Sequence, residues 1–271
     1  MKIRVCGLDF DDIGIKGAVR EALSGGGKCF VATPNALMLE DCMRTPEHRN
    51  LLSCASLLLP DGSGVVRAAA RIGTPFVHGR AAGIDFGEEL LRVSALRGER
   101  VFLLGGADGV AEQARAALIL RHPGLKVVGT YWGYFDRTGE ENRNLLGILN
   151  AVRPTVLLVC LGYPLQEEWI IRNLPRLPSV RVAAGLGGSL DVWAGRVRRA
   201  PHWCRRTGLE WAWRMLCEPH RLENLPALLR FSRFCRSDRL RTDGNLHMET
   251  ACRPQDLNKC YENDNFESKP L

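Results

Sequence analysis

The chain has 271 residues, 45% of them hydrophobic, enough to bury a sizeable core as one large α/β domain or two small ones. Ten scattered cysteines without a Cys-x-x-Cys pair exclude a small disulfide-stapled scaffold, and no apolar run approaches the roughly 18 residues of a spanning helix. The net charge of +7 is local: residues 196–241 hold 12 Arg, no Lys and 4 acidic groups, residues 242–271 carry −3, and residues 1–195 only +2.

In chain order, Ile3–Leu8, Cys29–Thr33, Ser56–Leu59, Val101–Gly105, Lys126–Thr130, Thr155–Leu161 and Val180–Ala184 read as strands. Between them Gly17–Leu23, Ala36–Met43, Val65–Ile72, Phe86–Leu96, Val110–Arg121, Glu140–Val152 and Leu165–Asn173 read as helices. Apolar strands without polar alternation imply a sheet covered on both faces. Their alternation with helices implies a doubly wound, Rossmann-like parallel sheet. After Gly195 the strand pattern stops. Residues 207–236 look helical and basic, broken at Pro219 and Pro226, and from Ser237 the chain turns polar. The expected division is an α/β core at 1–195, a helical Arg/Trp-rich appendage at 196–236, and a polar, disordered tail at 237–271.

The start, MKIRVCGLDFDD, becomes acidic where a signal peptide would be apolar, so a cytoplasmic protein with reduced thiols is expected. The basic segment calls for an anionic partner. It matches no helix-turn-helix, zinc-finger or RRM pattern, so nucleic acid is not expected. Trp203, Trp211 and Trp213 lie among its arginines. Indole at headgroup level and guanidinium on phosphate suit an anionic membrane surface, contacted peripherally.

Ligands of open parallel sheets bind outside the carboxyl ends of the strands. There this chain places Thr33-Pro34-Asn35, Pro60-Asp61-Gly62-Ser63-Gly64, Gly105-Gly106, Gly162 to Glu167 and Gly185-Leu186-Gly187-Gly188. Asp61, after an apolar strand, can serve as a general base or as a helix N-cap, and taken alone the residues favour the cap. Gly105 and Gly106, like Gly187 and Gly188, can bring amides to a phosphate, or can simply make tight turns. Gln166 can reach sugar hydroxyls if it faces the cleft. Asp9-Phe10-Asp11 has the form of a metal-binding DxD but lacks a supporting ligand, and the histidines show no metal spacing. No metal and no cofactor are expected.

In this order the motifs resemble the WecG/TagA/CpsF family of bacterial glycosyltransferases. They are TPNA at Thr33–Ala36, PDGSG at Pro60–Gly64, GRAAGIDF at Gly79–Phe86, FLLGG at Phe102–Gly106 and VVGTYWGYF at Val127–Phe135. LGYPLQEEW follows at Leu161–Trp169, then GLGGSLDVWAG at Gly185–Gly195, RRAPHW at Arg198–Trp203, GLEWAWRM at Gly208–Met215 and EPHR at Glu218–Arg221. The resemblance implies an inverting, metal-independent enzyme. It would move an N-acetylmannosamine-type sugar from UDP to a polyprenyl-diphosphate-linked sugar at the inner face of the bacterial cell membrane, in teichoic acid, common-antigen or capsule synthesis. By motif position the family's catalytic base falls on Asp61, and its sugar-binding residues on Thr33, Asn35, Arg80 and Gln166. Its arginines for the acceptor diphosphate fall on Arg214 and Arg221, beside Trp211 and Trp213, while Asn224 stands where members often carry a further arginine.

Rivals within the family use N-acetylmannosaminuronate, glucose or glucuronate donors. A rival of another class is a non-catalytic scaffold of a polysaccharide assembly complex, which has no need of Asp61, Arg80 and Gln166 together. A nicotinamide enzyme would need a glycine fingerprint that the chain lacks. Homo-oligomerisation is an open expectation.

Overall fold

The computed structural model describes residues 1–236, so the expected tail at 237–271 lies outside the described residues. Six parallel strands form one sheet in the order β4-β3-β8-β7-β5-β6. They are β3 (Cys29–Ala32), β4 (Leu57–Leu58), β5 (Arg100–Gly105), β6 (Lys126–Tyr131), β7 (Val156–Cys160) and β8 (Val182–Gly185). Strand and helix alternate as the apolar pattern requires, and the fold is the doubly wound α/β class.

The period of two along each strand divides the core into two layers. Phe30, Ala32, Phe102, Leu104, Leu157 and Val159 face one layer. It is packed by α2 (Ala36–Arg44), α3 (Pro46–Ser53), α4 (Gly62–Arg71), α7 (Glu140–Val152) and α8 (Leu165–Asn173). Val31, Val101, Leu103, Val156 and Leu158 face the other, against α1 (Gly14–Ser24), α5 (Gly83–Arg97), α6 (Val110–Arg121) and the short α9 (Ser189–Trp193).

The first expected strand, Ile3–Leu8, is a correction. It is two strands of an antiparallel hairpin outside the main sheet, β1 (Lys2–Val5) and β2 (Leu8–Asp11). Cys6 and Gly7 turn the chain with φ of 51° and 78°, the left-handed pair that a two-residue hairpin loop requires. Asp9 and Asp11 therefore sit within β2. Asp11 accepts from the Leu58 N–H at 3.0 Å and Asp9 approaches Arg4 at 4.0 Å, which is hairpin structure. Among the described residues no three His, Cys, Asp or Glu side chains gather as metal ligands.

Beyond Gly195 come α10 (His202–Thr207), α11 (Glu210–Cys217), a 3-10 turn at Pro219–Asn224 and α12 (Leu225–Arg236). The last helix is fastened to the core. Phe231 is 3% exposed within the α2–α4 layer, and Arg230 pairs at 2.6 Å with Glu40, itself buried on α2. No helix among the described residues is long and apolar enough to cross a membrane.

Candidate active site

Chain direction reverses at the carboxyl ends of β5 and β7, because β5 leads outward to β6 while β7 leads back to β8. Such a switch point opens a crevice. Gly105 explains its own identity there. At φ of 130°, a Cβ would stand 2.2 Å from the Cys160 carbonyl oxygen. The glycine turn is thus required by the close approach of β7, whatever it also offers a phosphate.

Along the same edge, at β3 and β4, the polar residues converge. Asp61 stands at the N-cap of α4 with extended backbone, yet its side chain makes no capping hydrogen bond to that helix. Its Oδ1 meets Arg80 Nε at 3.3 Å, and its Oδ2 accepts from the Gly83 N–H at 3.5 Å, at the positive end of α5. The cap reading fails for a specific reason: Arg80 and the start of α5 draw the carboxylate away, and α4 begins uncapped over a cavity. Asn35 is the true cap nearby, its Oδ1 accepting from the Leu37 and Met38 N–H groups at 2.9 and 3.3 Å. Its amide nitrogen makes none of these bonds, and Asn35 lines the same cavity as Asp61.

Arg80 is held from both sides. While Nε faces Asp61, Nη2 meets Glu210 Oε2 of α11 at 2.6 Å. Glu210 is the residue that sequence reasoning missed, because its partner is remote in the chain and GLEWAWRM reads as an amphipathic helix. Burial pushes the Asp61 carboxyl above the usual aspartate range; Arg80 opposes the rise and Glu210 adds to it. Burial also works against the Arg80 charge, but the two carboxylates outweigh it and hold Arg80 above its ordinary value. With 27% of its side chain exposed, Asp61 is still reachable.

The cavity measures about 520 Å³ and joins core to appendage. Asn35, Asp61, Gly62, Ser63, Gly64 and Arg80 line it from the core, and Glu210, Trp211, Arg214, Arg221 and Asn224 from the appendage. Met215, Leu225, Leu228, Leu229 and Phe231 add apolar surface to the lining, and Arg67, Arg71 and Arg236 add charge. Trp213 is half-buried on α11 but does not line the cavity.

Thr33 and Gln166 stand beside the cavity. A Cβ on Gly83 would lie 2.6 Å from Thr33 Oγ1, so Thr33 borders the amide that Asp61 receives. Gln166 is buried; its Oε1 accepts from the Gly187 N–H at 2.8 Å and its Nε2 donates to Glu167 Oε1 at 2.9 Å. Gln166 thereby shapes the Gly185–Gly188 turn. Gly105, Gly106, Gly187 and Gly188 lie along the β5–β7–β8 portion of the edge, outside the lining of the cavity.

Glu167, fully buried beside Gln166, has no partner for Oε2 among the described residues. Burial pushes its carboxyl up to about 8, with the Gln166 hydrogen bond opposing, so it keeps its proton at neutral pH. The unfolded chain releases that proton near 4.5. Between those two values the native state therefore binds more protons than the unfolded one, and this group makes stability fall as pH rises from about 4.5 to about 8. Glu167→Gln should remove that slope. Between pH 5 and pH 8 in urea unfolding, the wild type should lose about 3–4 kcal/mol more stability than the variant. Parallel slopes would mean that Glu167 does not titrate in the native state.

The chain matches the family model "Glycosyl transferase WecG/TagA/CpsF family" over residues 3–244. It is 31% identical over 232 residues to the N-acetylglucosaminyldiphosphoundecaprenol N-acetyl-beta-D-mannosaminyltransferase of Staphylococcus aureus strain MRSA252, covering 84% of this chain and 89% of the relative. The proteins of that name in strains NCTC 8325 / PS 47 and COL match with the same identity and coverage.

Proposed function

Because the chain belongs to the WecG/TagA/CpsF family of glycosyltransferases, we propose that it transfers an N-acetylmannosamine-type sugar from UDP, with inversion, to a polyprenyl-diphosphate-linked N-acetylglucosamine. The observation that carries this reading is the Asp61–Arg80 pair in the lining of a cavity that combines polar and charged core residues with leucines of α12. Asp61 takes the proton from the acceptor hydroxyl as it attacks the anomeric carbon from the face opposite UDP. Arg80, held between Asp61 and Glu210, faces the charge that develops on the leaving diphosphate. Thr33, Asn35 and Gln166 support the sugar, while Gly105–Gly106 and Gly187–Gly188 border the nucleotide. In this division residues 1–195 hold the donor, and residues 196–236 close over the acceptor with Arg214 and Arg221. Transfer assays with a panel of UDP-sugars and a lipid-linked N-acetylglucosamine diphosphate test the reading. UDP-N-acetylmannosamine should be turned over best, whereas turnover of none would favour the scaffold.

The acceptor's lipid brings the enzyme to the membrane. Trp203, Trp211, Leu216 and Leu222 of the appendage are exposed large apolar side chains within its arginine-rich surface, the composition of an interfacial docking face. Each arginine near an anionic surface contributes about 1 kcal/mol, so binding should weaken steeply with salt. Point variants are the better test, since cutting the chain at Gly195 would strip Phe231 from the core. In co-sedimentation with anionic vesicles, the whole chain should pellet at low salt and be released at high salt. Trp203→Ala with Leu216→Ala should pellet less. Equal pelleting with neutral vesicles would place the docking force elsewhere.

A further inference from the structure

The six arginines lining the cavity differ in how far their charge is already met. Arg80 lies between Asp61 and Glu210. Arg214 and Arg221 share one carboxylate, Glu218, at 3.6 and 2.7 Å. Arg67 and Arg71, one turn apart on the same face of α4, have no carboxylate within ion-pair distance among the described residues. The Arg67 guanidinium lies beside Gly208, where a Cβ would stand 3.9 Å from Nη1, while that of Arg71 reaches α12. Arg71 Nη1 donates to the Cys235 carbonyl at 3.5 Å, and both arginines work against the burial that pushes the Cys235 thiol up to about 11. Like Arg236 at the end of α12, which also lines the cavity without a carboxylate partner among the described residues, Arg67 and Arg71 bring uncompensated positive charge to it, and these two come from the core helix that starts at Asp61.

A doubly charged group attached to an apolar chain fits that charge together with the leucines of the same lining. Resting on the transfer reading above, we propose that Arg67 and Arg71 bind the diphosphate of the acceptor from the core, while Leu225, Leu228 and Leu229 receive its first isoprenoid units. The diphosphate meets two guanidinium groups that have no carboxylate to give up, whereas Arg214 and Arg221 must first release Glu218. The isoprenoid leaves water for a wall that is already apolar. Both arginines stand on the helix that begins at Asp61, so a diphosphate held there keeps the sugar it carries in the same cavity as that carboxylate.

Calorimetric titration of the full chain with farnesyl diphosphate and with inorganic diphosphate tests the subsite without any turnover. The wild type should bind farnesyl diphosphate at least about tenfold more tightly than inorganic diphosphate. Arg67→Gln with Arg71→Gln should weaken farnesyl diphosphate by roughly 30- to 100-fold. Lysine at both positions should recover most of the loss, and UDP affinity with the circular dichroism spectrum serves as the check on folding. Leu229→Gln should weaken farnesyl diphosphate and leave inorganic diphosphate as it was. Equal binding of farnesyl diphosphate by the wild type and the double glutamine variant would overturn the arginine assignment, and equal binding of the two ligands by the wild type would overturn the lipid wall. Either result can coexist with normal transfer from a UDP-sugar, so a failed subsite is distinguishable from a failed activity.

Discussion

Asp61→Asn should lower transfer by about 10²–10⁴-fold at saturating donor and acceptor, with the fold and UDP affinity preserved. Asparagine matches the shape of the carboxylate and can still accept from the Gly83 N–H, but it cannot take a proton from an attacking hydroxyl. The size of the loss follows from the environment of Asp61. Burial raises its proton affinity above that of a free aspartate, making it a stronger base, while its partial exposure keeps it in reach of substrate. The structure also removes the main alternative, since the side chain makes no capping bond to α4. Turnover close to wild type at saturation would reduce Asp61 to a strut between Arg80 and α5.

Arg80→Gln should cost about 10²-fold or more in kcat near neutral pH, by two routes that a pH profile separates. The first is loss of the cation facing the leaving diphosphate, which lowers the rate at every pH. The second acts through Asp61. Arg80 is the charge that holds the Asp61 pKa down, and Glu210 is a charge that raises it. Without Arg80, two carboxylates oppose each other across a buried space, so Asp61 binds its proton more tightly. The acid limb of the kcat profile should move to higher pH in Arg80→Gln and to lower pH in Glu210→Gln. Limbs that stay in place in both variants would show that the group titrating in the rate is not Asp61.

Those opposed shifts depend on a contact that no local pattern announces. Thr33, Asn35 and Asp61 were legible because each sits in the turn after an apolar strand, and a doubly wound sheet gathers such turns on one edge, whereas Arg80, between α4 and α5, came only from the family's motif. Glu210 was not, since its meaning comes from Arg80, far away in the chain and in a different element. Arg67 and Arg71 hide in the same way: on a helix surface a pair of arginines reads as a solvated face, and only the fold sets them in the lining of the cavity that holds Asp61. Competition for a side chain also escapes a linear reading. An aspartate before a glycine-rich helix start has every local reason to cap it, and only the fold brings Arg80 and the start of α5 near enough to win the carboxylate. At the amino terminus, Cys6-Gly7 within an apolar run concealed a hairpin turn. Five residues of α9 were too few to show a helical period behind the glycine turn at Gly185–Gly188.

The central claim is that Asp61 drives a single displacement on the donor sugar within this cavity, and the anomeric configuration of the product tests it most directly. The full chain, UDP-α-N-acetylmannosamine and a farnesyl-diphosphate-linked N-acetylglucosamine should yield one disaccharide lipid. Its new linkage, read by proton and carbon NMR, should be β, and Asp61→Asn should form the same product far more slowly. An α-linked product would contradict the account, because retention needs a nucleophile on the opposite face and two displacements where a single base provides only one.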